Sequence, residues 1–150
     1  MKAVIQRVNY SKLKIGGKVY SEIERGLMIL IGITHDDTIN DIRWLSNKII
    51  NLRIFNDGNG IMNYSVKDIN GDIQVISQFT LHAQTKKGNR PSYIRAAKGE
   101  VAENYYNLFI DEMTHIFNKK IKTGKFGYDM QIDLENDGPV TILIDSKKKV

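Results

Sequence analysis

Residues Leu27 to Ile33 are apolar almost without a break. A strand with one wet face alternates polar and apolar residues, so an unbroken run belongs to a strand buried on both faces. Two helical stripes are also legible. Ile39, Ile42, Leu45, Ile49 and Leu52 recur at three- or four-residue spacing, with Asp36, Asp37 and Asp41 near the positive N-terminal end of that helix. Val101, Tyr105, Leu108, Phe109, Glu112 and Ile116 mark a second stripe, in which Glu112 is the one non-apolar member. Met1 to Val8 reads as a strand. Leu13, Ile15, Val19 and Ile23 around Gly16-Gly17 suggest a hairpin. Asp72 to Phe79, Tyr128 to Leu134 and Val140 to Asp145 read as further strands, with a turn over Asn56 to Gly60. The sum is a mixed α/β domain with two main helices and about seven strands.

The chain has 150 residues, 41% hydrophobic and 26% charged, enough for one self-sufficient core. The expected organisation is a single domain over 1–150 with a basic tail from about 146 to 150. It has no cysteine, which removes disulfides, thiolate nucleophiles, iron–sulfur clusters and cysteine zinc sites. Met1 to Val8 carries Lys2, Gln6 and Arg7 and has no cleavage signature, so it does not read as a secretory leader. The apolar run Leu27 to Ile31 is too short to span a bilayer. The expectation is a cytoplasmic protein without a membrane partner.

The net charge is +5 and uneven. Lys86, Lys87, Arg90, Arg95 and Lys98 form one acid-free stretch, Lys119, Lys120, Lys122 and Lys125 a second, and Lys147 to Lys149 a third. Such stretches are either a solvated basic surface or a footprint for a polyanion, above all nucleic acid.

Familiar catalytic signatures are absent: no G-x-S-x-G elbow, no phosphate-binding lysine loop, no dinucleotide glycine motif. The three histidines, His35, His82 and His115, are far apart, and no metal site is expected from them. His115, one step from the helical stripe, reads as structural, and His82, just past a strand end, as surface bordering a site. Ser77-Gln78-Phe79-Thr80-Leu81 places two hydroxyls and an amide at the end of a buried strand, where α/β proteins build their chemistry. Pro139 follows Gly138 and precedes the strand formers Val140 to Ile144. Standing alone, that segment reads as a turn between two strands, though an X-Pro bond also admits the cis form.

Together these segments resemble the D-aminoacyl-tRNA deacylase family. The likeness rests on Ser77 to Leu81, Lys86-Lys87-Gly88-Asn89-Arg90-Pro91-Ser92 and Asn136-Asp137-Gly138-Pro139-Val140-Thr141. It extends to Ala3 to Val8, Gly32 to Asp37, Lys48-Ile49, Asn51 to Phe55, Gly124 to Gly127 and Met130-Gln131, from Met1 to about Asp145. His82 and Gln84 stand where many members carry Tyr and Asp, which weakens any catalytic role for position 82.

The resemblance implies a curled, barrel-like mixed sheet flanked by two helices, in a homodimer. It implies a carboxylic ester hydrolase that releases a D-amino acid, or glycine, from tRNA, rejects L-aminoacyl substrates and needs no cofactor. It places catalysis at Ser77, Gln78, Phe79 and Thr80. It implies a cis Gly138-Pro139 bond that enters the partner subunit's active site and reads chirality. From matching positions, Arg7 braces that loop and Met130 lines the pocket. An oxyanion would be held by backbone amides around Gln78, Phe79 and Thr80. The attacking water would be positioned by the ribose 2′-hydroxyl of the tRNA or by Thr80; Thr80 is also a candidate nucleophile, but with no base near it in sequence, positioning is favoured. Lys86, Lys87, Arg90 and Arg95 are the candidate phosphate contacts. Three other readings stand beside this one: a non-catalytic RNA-binding module, a small-molecule esterase or amidase of the same fold whose basic stretches are only surface, and a dimeric structural protein.

Overall fold

The computed structural model describes residues 1–149; Val150, the last residue of the expected tail, lies outside the described residues. In chain order the elements are β1 (Lys2–Ile15), β2 (Lys18–Ile23), β3 (Gly26–Gly32), α1 (Ile39–Ile50), β4 (Phe55–Asn56), β5 (Met62–Tyr64), β6 (Asp72–Ser77), a 3-10 turn (Phe79–His82), α2 (Gly99–Phe117), β7 (Lys122–Thr123) and β8 (Gln131–Asp145). The main sheet runs β2-β1-β3-β6-β7, with β8 on β1, while β4 and β5 form a separate hairpin. β1 is antiparallel to β2, β3 and β8, whereas β3, β6 and β7 are mutually parallel.

The sheet curls until its ends meet. The Ser21 hydroxyl of β2 donates to the Thr123 carbonyl of β7 at 2.7 Å, and the Gln74 amide of β6 donates to Ser21 Oγ at 2.9 Å. The result is a nearly closed barrel with α1 and α2 packed on its outside. β3 is its central stave. Leu27, Ile29 and Ile31 point out toward Ile42, Leu45, Ile49, Tyr106, Phe109 and Met113 of the helices. Met28 points inward to Val8, Leu13, Ile23 and Ile76, with Leu30, Met130, Ile132 and Leu134 packed on that inner cluster. The double-sided burial expected of Leu27 to Ile33 is thus two distinct apolar layers on one strand.

The structure departs from the sequence expectations in four places. The stripe of α2 that faces the core is Ala102, Tyr106, Phe109, Met113 and Phe117, while Val101 and Leu108 are exposed. The expected stripe is rotated by one residue, and the polar Glu112 within it marked the wetter side. His115 is on the surface rather than structural. The two expected C-terminal strands are one continuous β8, and Gly138-Pro139 lies inside it as an irregularity in the β1–β8 ladder. His82, expected at the surface, is buried against the end of β3 at 7% exposure, and that burial lowers its pKa.

The chain ends are fastened together. The Met1 amino group pairs with Asp37 and donates to Ser146 Oγ at 2.8 Å. Ser146 Oγ donates to Asp41 at 2.7 Å, and Lys147 Nζ reaches the same carboxylate at 2.8 Å. Burial alone would raise the Asp41 pKa, but the hydrogen bonds from Lys147, Ser146 and Thr38 outweigh it and hold the carboxyl far below its usual range. Among the described residues no helix is long and apolar enough to cross a membrane.

Candidate active site

β6 ends at the mouth of the barrel, and its last residues open a cleft of about 600 Å³. Parallel pairing to β3 carries through Ser77 opposite Ile31. The Gln78 N–H then donates to the Ile31 carbonyl at 2.8 Å, so this amide is committed to the sheet. The chain next tightens into the Phe79–His82 turn. The first amides of a helical turn lack an intrahelical acceptor. Accordingly the Phe79 and Thr80 N–H groups have no hydrogen-bond acceptor among the described residues. Of the three backbone donors expected at the site, two are left without an acceptor by the fold, and Phe79 lies on the wall of the cleft.

Ser77, Gln78, Phe79 and Met130 line this one cleft, together with Tyr93, Ala97, Phe126 and Tyr128. Thr80 is not part of its wall, but its Oγ1 accepts a hydrogen bond from the Gln78 side chain. Phe79 is 55% exposed and meets Tyr93 edge-to-face, with ring centroids 5.1 Å apart. Met130 is fixed from behind: its sulfur accepts the Lys125 N–H at 3.4 Å, and a Cβ at Gly124 would stand 2.7 Å from it.

Among the described residues no histidine or carboxylate hydrogen-bonds the Thr80 hydroxyl. The carboxylate on the cleft wall, Asp129, accepts the Gln131 amide at 3.0 Å. A threonine without a base is a poor nucleophile. What the site offers is a polar strand end, two open amides and apolar walls. That suits an already activated acyl group whose developing oxyanion needs donors.

Arg7, Gly138 and Pro139 form a second cluster. The Gly138-Pro139 bond is cis, and Gly138 has φ +123°. Arg7 is almost fully buried. Its Nη1 donates to the Ile54 carbonyl at 2.6 Å, and its Nε donates to the Asp137 carbonyl at 3.1 Å. The same Nε lies 3.2 Å from the Asp137 carboxylate. Asn136 Nδ2 donates to the carbonyls of Arg7 and Val140 at 3.0 and 2.9 Å, closing the irregularity from its other side. This cluster is not on the wall of the Ser77 cleft of its own chain. From Gln131, beside Met130, eight residues of strand reach Pro139, on the order of 25 Å at about 3.3 Å each.

Lys86, Lys87 and Arg90 are exposed in the segment that follows the turn. Arg95 lies against a neighbouring cleft with Lys2 and His82, across the turn from Ser77. Among the described residues no three His, Asp or Glu side chains gather in a metal-binding cluster. Tyr93, Ala97 and Asp129 were not picked out from the sequence. Their segments carry no motif of their own, and only the path of the chain over the barrel mouth brings them to β6.

Comparison with known proteins identifies the family. A family model described as D-Tyr-tRNA(Tyr) deacylase matches residues 4–145. A protein of Flavobacterium psychrophilum named D-aminoacyl-tRNA deacylase is 58% identical over 149 residues, 99% of each chain. One of Bacteroides fragilis with the same name is 54% identical over the same span. A solved structure titled c-Myc DNA Unwinding Element Binding Protein superposes with TM-score 0.92 at 41% identity, covering 97% of this chain and 98% of the other. A second, titled as a probable eukaryotic D-amino acid tRNA deacylase, superposes with TM-score 0.82 over 95% and 97% of the two chains. At 16% identity that second likeness concerns the fold alone. With the family model matched over nearly the whole chain and relatives of more than half identity matched over almost their full length, the chain belongs to the D-Tyr-tRNA(Tyr) deacylase family of hydrolases.

Proposed function

We propose that this protein hydrolyses the ester between a D-amino acid, or glycine, and the 3′-terminal adenosine of tRNA, and that it rejects L-aminoacyl substrates. The observation that carries the reading is the pair of open amides at Phe79 and Thr80, at the polar end of β6 beside an apolar cleft. Water attacks the ester carbonyl, and the oxyanion forms against these N–H groups. Collapse then releases the free amino acid and leaves the tRNA hydroxyl. Loss of one such donor typically costs ~10²–10³ in rate. Thr80, bonded to Gln78 rather than to a base, orients water or the ribose instead of attacking.

Chirality is assigned to Gly138-Pro139 of a second copy. The distance along β8 keeps this element from the cleft of its own chain, so a homodimer is what supplies it. Backbone held by the buried Arg7 accepts the substrate amine in one orientation and blocks an L side chain, while glycine, lacking one, passes. Lys86, Lys87, Arg90 and Arg95 are assigned to tRNA phosphates, and a tRNA substrate sets the place of work in the cytoplasm.

The test is single-turnover deacylation of one tRNA charged with D-tyrosine, L-tyrosine or glycine, with sedimentation at assay concentration. Hydrolysis of the D and glycyl esters alone, by a dimer, is expected. Equal rates on D- and L-tyrosyl esters, or a fully active monomer, refute the chiral assignment. No hydrolysis of any of them refutes the reaction.

A further inference from the structure

The face of α1 turned away from the barrel is free of acids. Asn40, Arg43, Trp44, Asn47, Lys48 and Asn51 line a shallow groove on it, which Arg53 completes. Their spacing is that of a helix stripe opposite the buried Ile42, Leu45 and Ile49. The one carboxylate of the helix, Asp41, faces inward and is bound by Ser146 and Lys147. From Ile42 to Asn56 the chain carries no Asp or Glu. Arg43 makes no hydrogen bond or ion pair among the described residues. Trp44 has two ammonium groups near its ring, Lys48 at 5.8 Å and Lys149 at 5.0 Å from the ring centre. An isolated charged helix would be expected to mix signs and form pairs along its face. This one presents only cations and neutral amides.

The face also begins at the sheet edge where the cleft opens. β3 and β6 are parallel and end at the same edge of the sheet. One leads into α1, the other into the Phe79–His82 turn. The 12 residues of α1 extend about 18 Å from that edge.

Resting on the deacylase reading, we propose that the outer face of α1 grips the double-stranded stem of the tRNA, with Arg43 and Lys48 on phosphates and the asparagine amides on 2′-hydroxyls of its shallow groove. A-form RNA is recognised mainly by shape, phosphate and 2′-hydroxyl contacts. Such contacts carry no sequence information, as an enzyme serving many tRNAs requires. The stem is a site distinct from the ester-binding cleft and from Lys86 to Arg95.

Trp44 is the sole tryptophan of the chain, so its fluorescence reports on this face alone. Titration with uncharged tRNA is expected to change that emission, whereas a CCA trinucleotide without a stem is not. Uncharged tRNA needs no hydrolysis, so this arm stands even where the deacylation assay fails. In Arg43→Gln/Lys48→Gln, log K against log salt is expected to flatten by about 1.4–1.8, from two lost phosphate contacts. The KM for D-aminoacyl-tRNA is expected to rise at least tenfold more than that for D-aminoacyl-adenosine, which has no stem. Circular dichroism of the variant checks its fold. Binding of tRNA with no change in Trp44 emission, an unchanged salt slope, or equal losses on both substrates overturns the proposal.

Discussion

Arg7→Met separates what holds the Gly138-Pro139 element from what the element does. The Arg7 side chain is 7% exposed and the Asp137 side chain 34%. Two carbonyls, of Ile54 at 2.6 Å and Asp137 at 3.1 Å, accept from the guanidinium, and Asn56 Oδ1 is a longer contact at 3.4 Å. Hydrogen bonds to a charged group contribute about 1.5–3 kcal/mol each. The Asp137 carboxylate can rehydrate on its exposed side, so its ion pair adds at most about 1 kcal/mol. Methionine keeps the apolar contacts of the stem and avoids burying a charge, which offsets part of the loss. The net destabilisation is about 3 kcal/mol. At about 2–4 °C per kcal/mol for a chain of this size, Tm falls by about 6–12 °C. A domain with about 5–15 kcal/mol of stability stays folded at 25 °C, so activity there reads geometry rather than unfolding. Thermal melts followed by circular dichroism, with deacylation of D- and L-tyrosyl-tRNA at 25 °C, make the assay. Activity on the D ester is expected to fall more than tenfold with a narrower D/L ratio, and Arg7→Lys to lie between, since one ammonium cannot span both carbonyls. A Tm loss under about 2 °C refutes the energetics. A large Tm loss with full, fully selective activity refutes the link between this anchor and chirality.

Thr80→Ala is expected to keep measurable turnover, with kcat down on the order of 10–100-fold, about 1.4–2.7 kcal/mol of barrier; abolished turnover, with normal hydrolysis of a 2′-deoxyadenosine substrate, would make Thr80 the nucleophile instead. Gly32→Ala would place a Cβ 3.0 Å from the Gln78 carbonyl and 3.1 Å from His82 Cδ2. The turn must shift by a few tenths of an ångström, so stability drops by about 1–3 kcal/mol and kcat falls, and neutral behaviour in both would show that the turn is not rigid. Because the folded Asp41 carboxyl is held below its unfolded value, its contribution to stability is complete above about pH 5 and is lost as pH falls through the acid range. Chemical denaturation from pH 6 to 3 should therefore show a shallower loss in Asp41→Asn than in the parent protein, and parallel curves would contradict the assignment. Burial lowers the His82 pKa, so the unfolded chain takes up its proton first and stability falls as pH drops below about 6.5. His82→Gln should flatten the curve between pH 7 and 5.5, and an unaltered slope there would place the titration elsewhere.

Much of this molecule is legible in its residues taken in order. The run from Leu27 to Ile33 announces a strand buried on both faces, and the 3.6-residue recurrence announces α1, because both periods come from backbone geometry that acts over a few neighbours. Ser77 to Thr80 is legible as a polar strand end for the same reason. The facing side of α2 is less so: Val101 and Leu108 sit on one stripe, Ala102 and Met113 on the next, and both are largely apolar. Only contact with α1 and the sheet chooses between them. The site lies further still from local reading. The Gln78 amide is taken up by the Ile31 carbonyl, 47 residues earlier, through parallel pairing of β3 and β6. Arg7 meets Asp137 across 130 residues because β8 returns antiparallel along β1. Nothing in either neighbourhood encodes these meetings. They arise when curling of the sheet buries both apolar faces of β3 at once, and the register that achieves this sets which polar groups are used up and which stay open to a substrate.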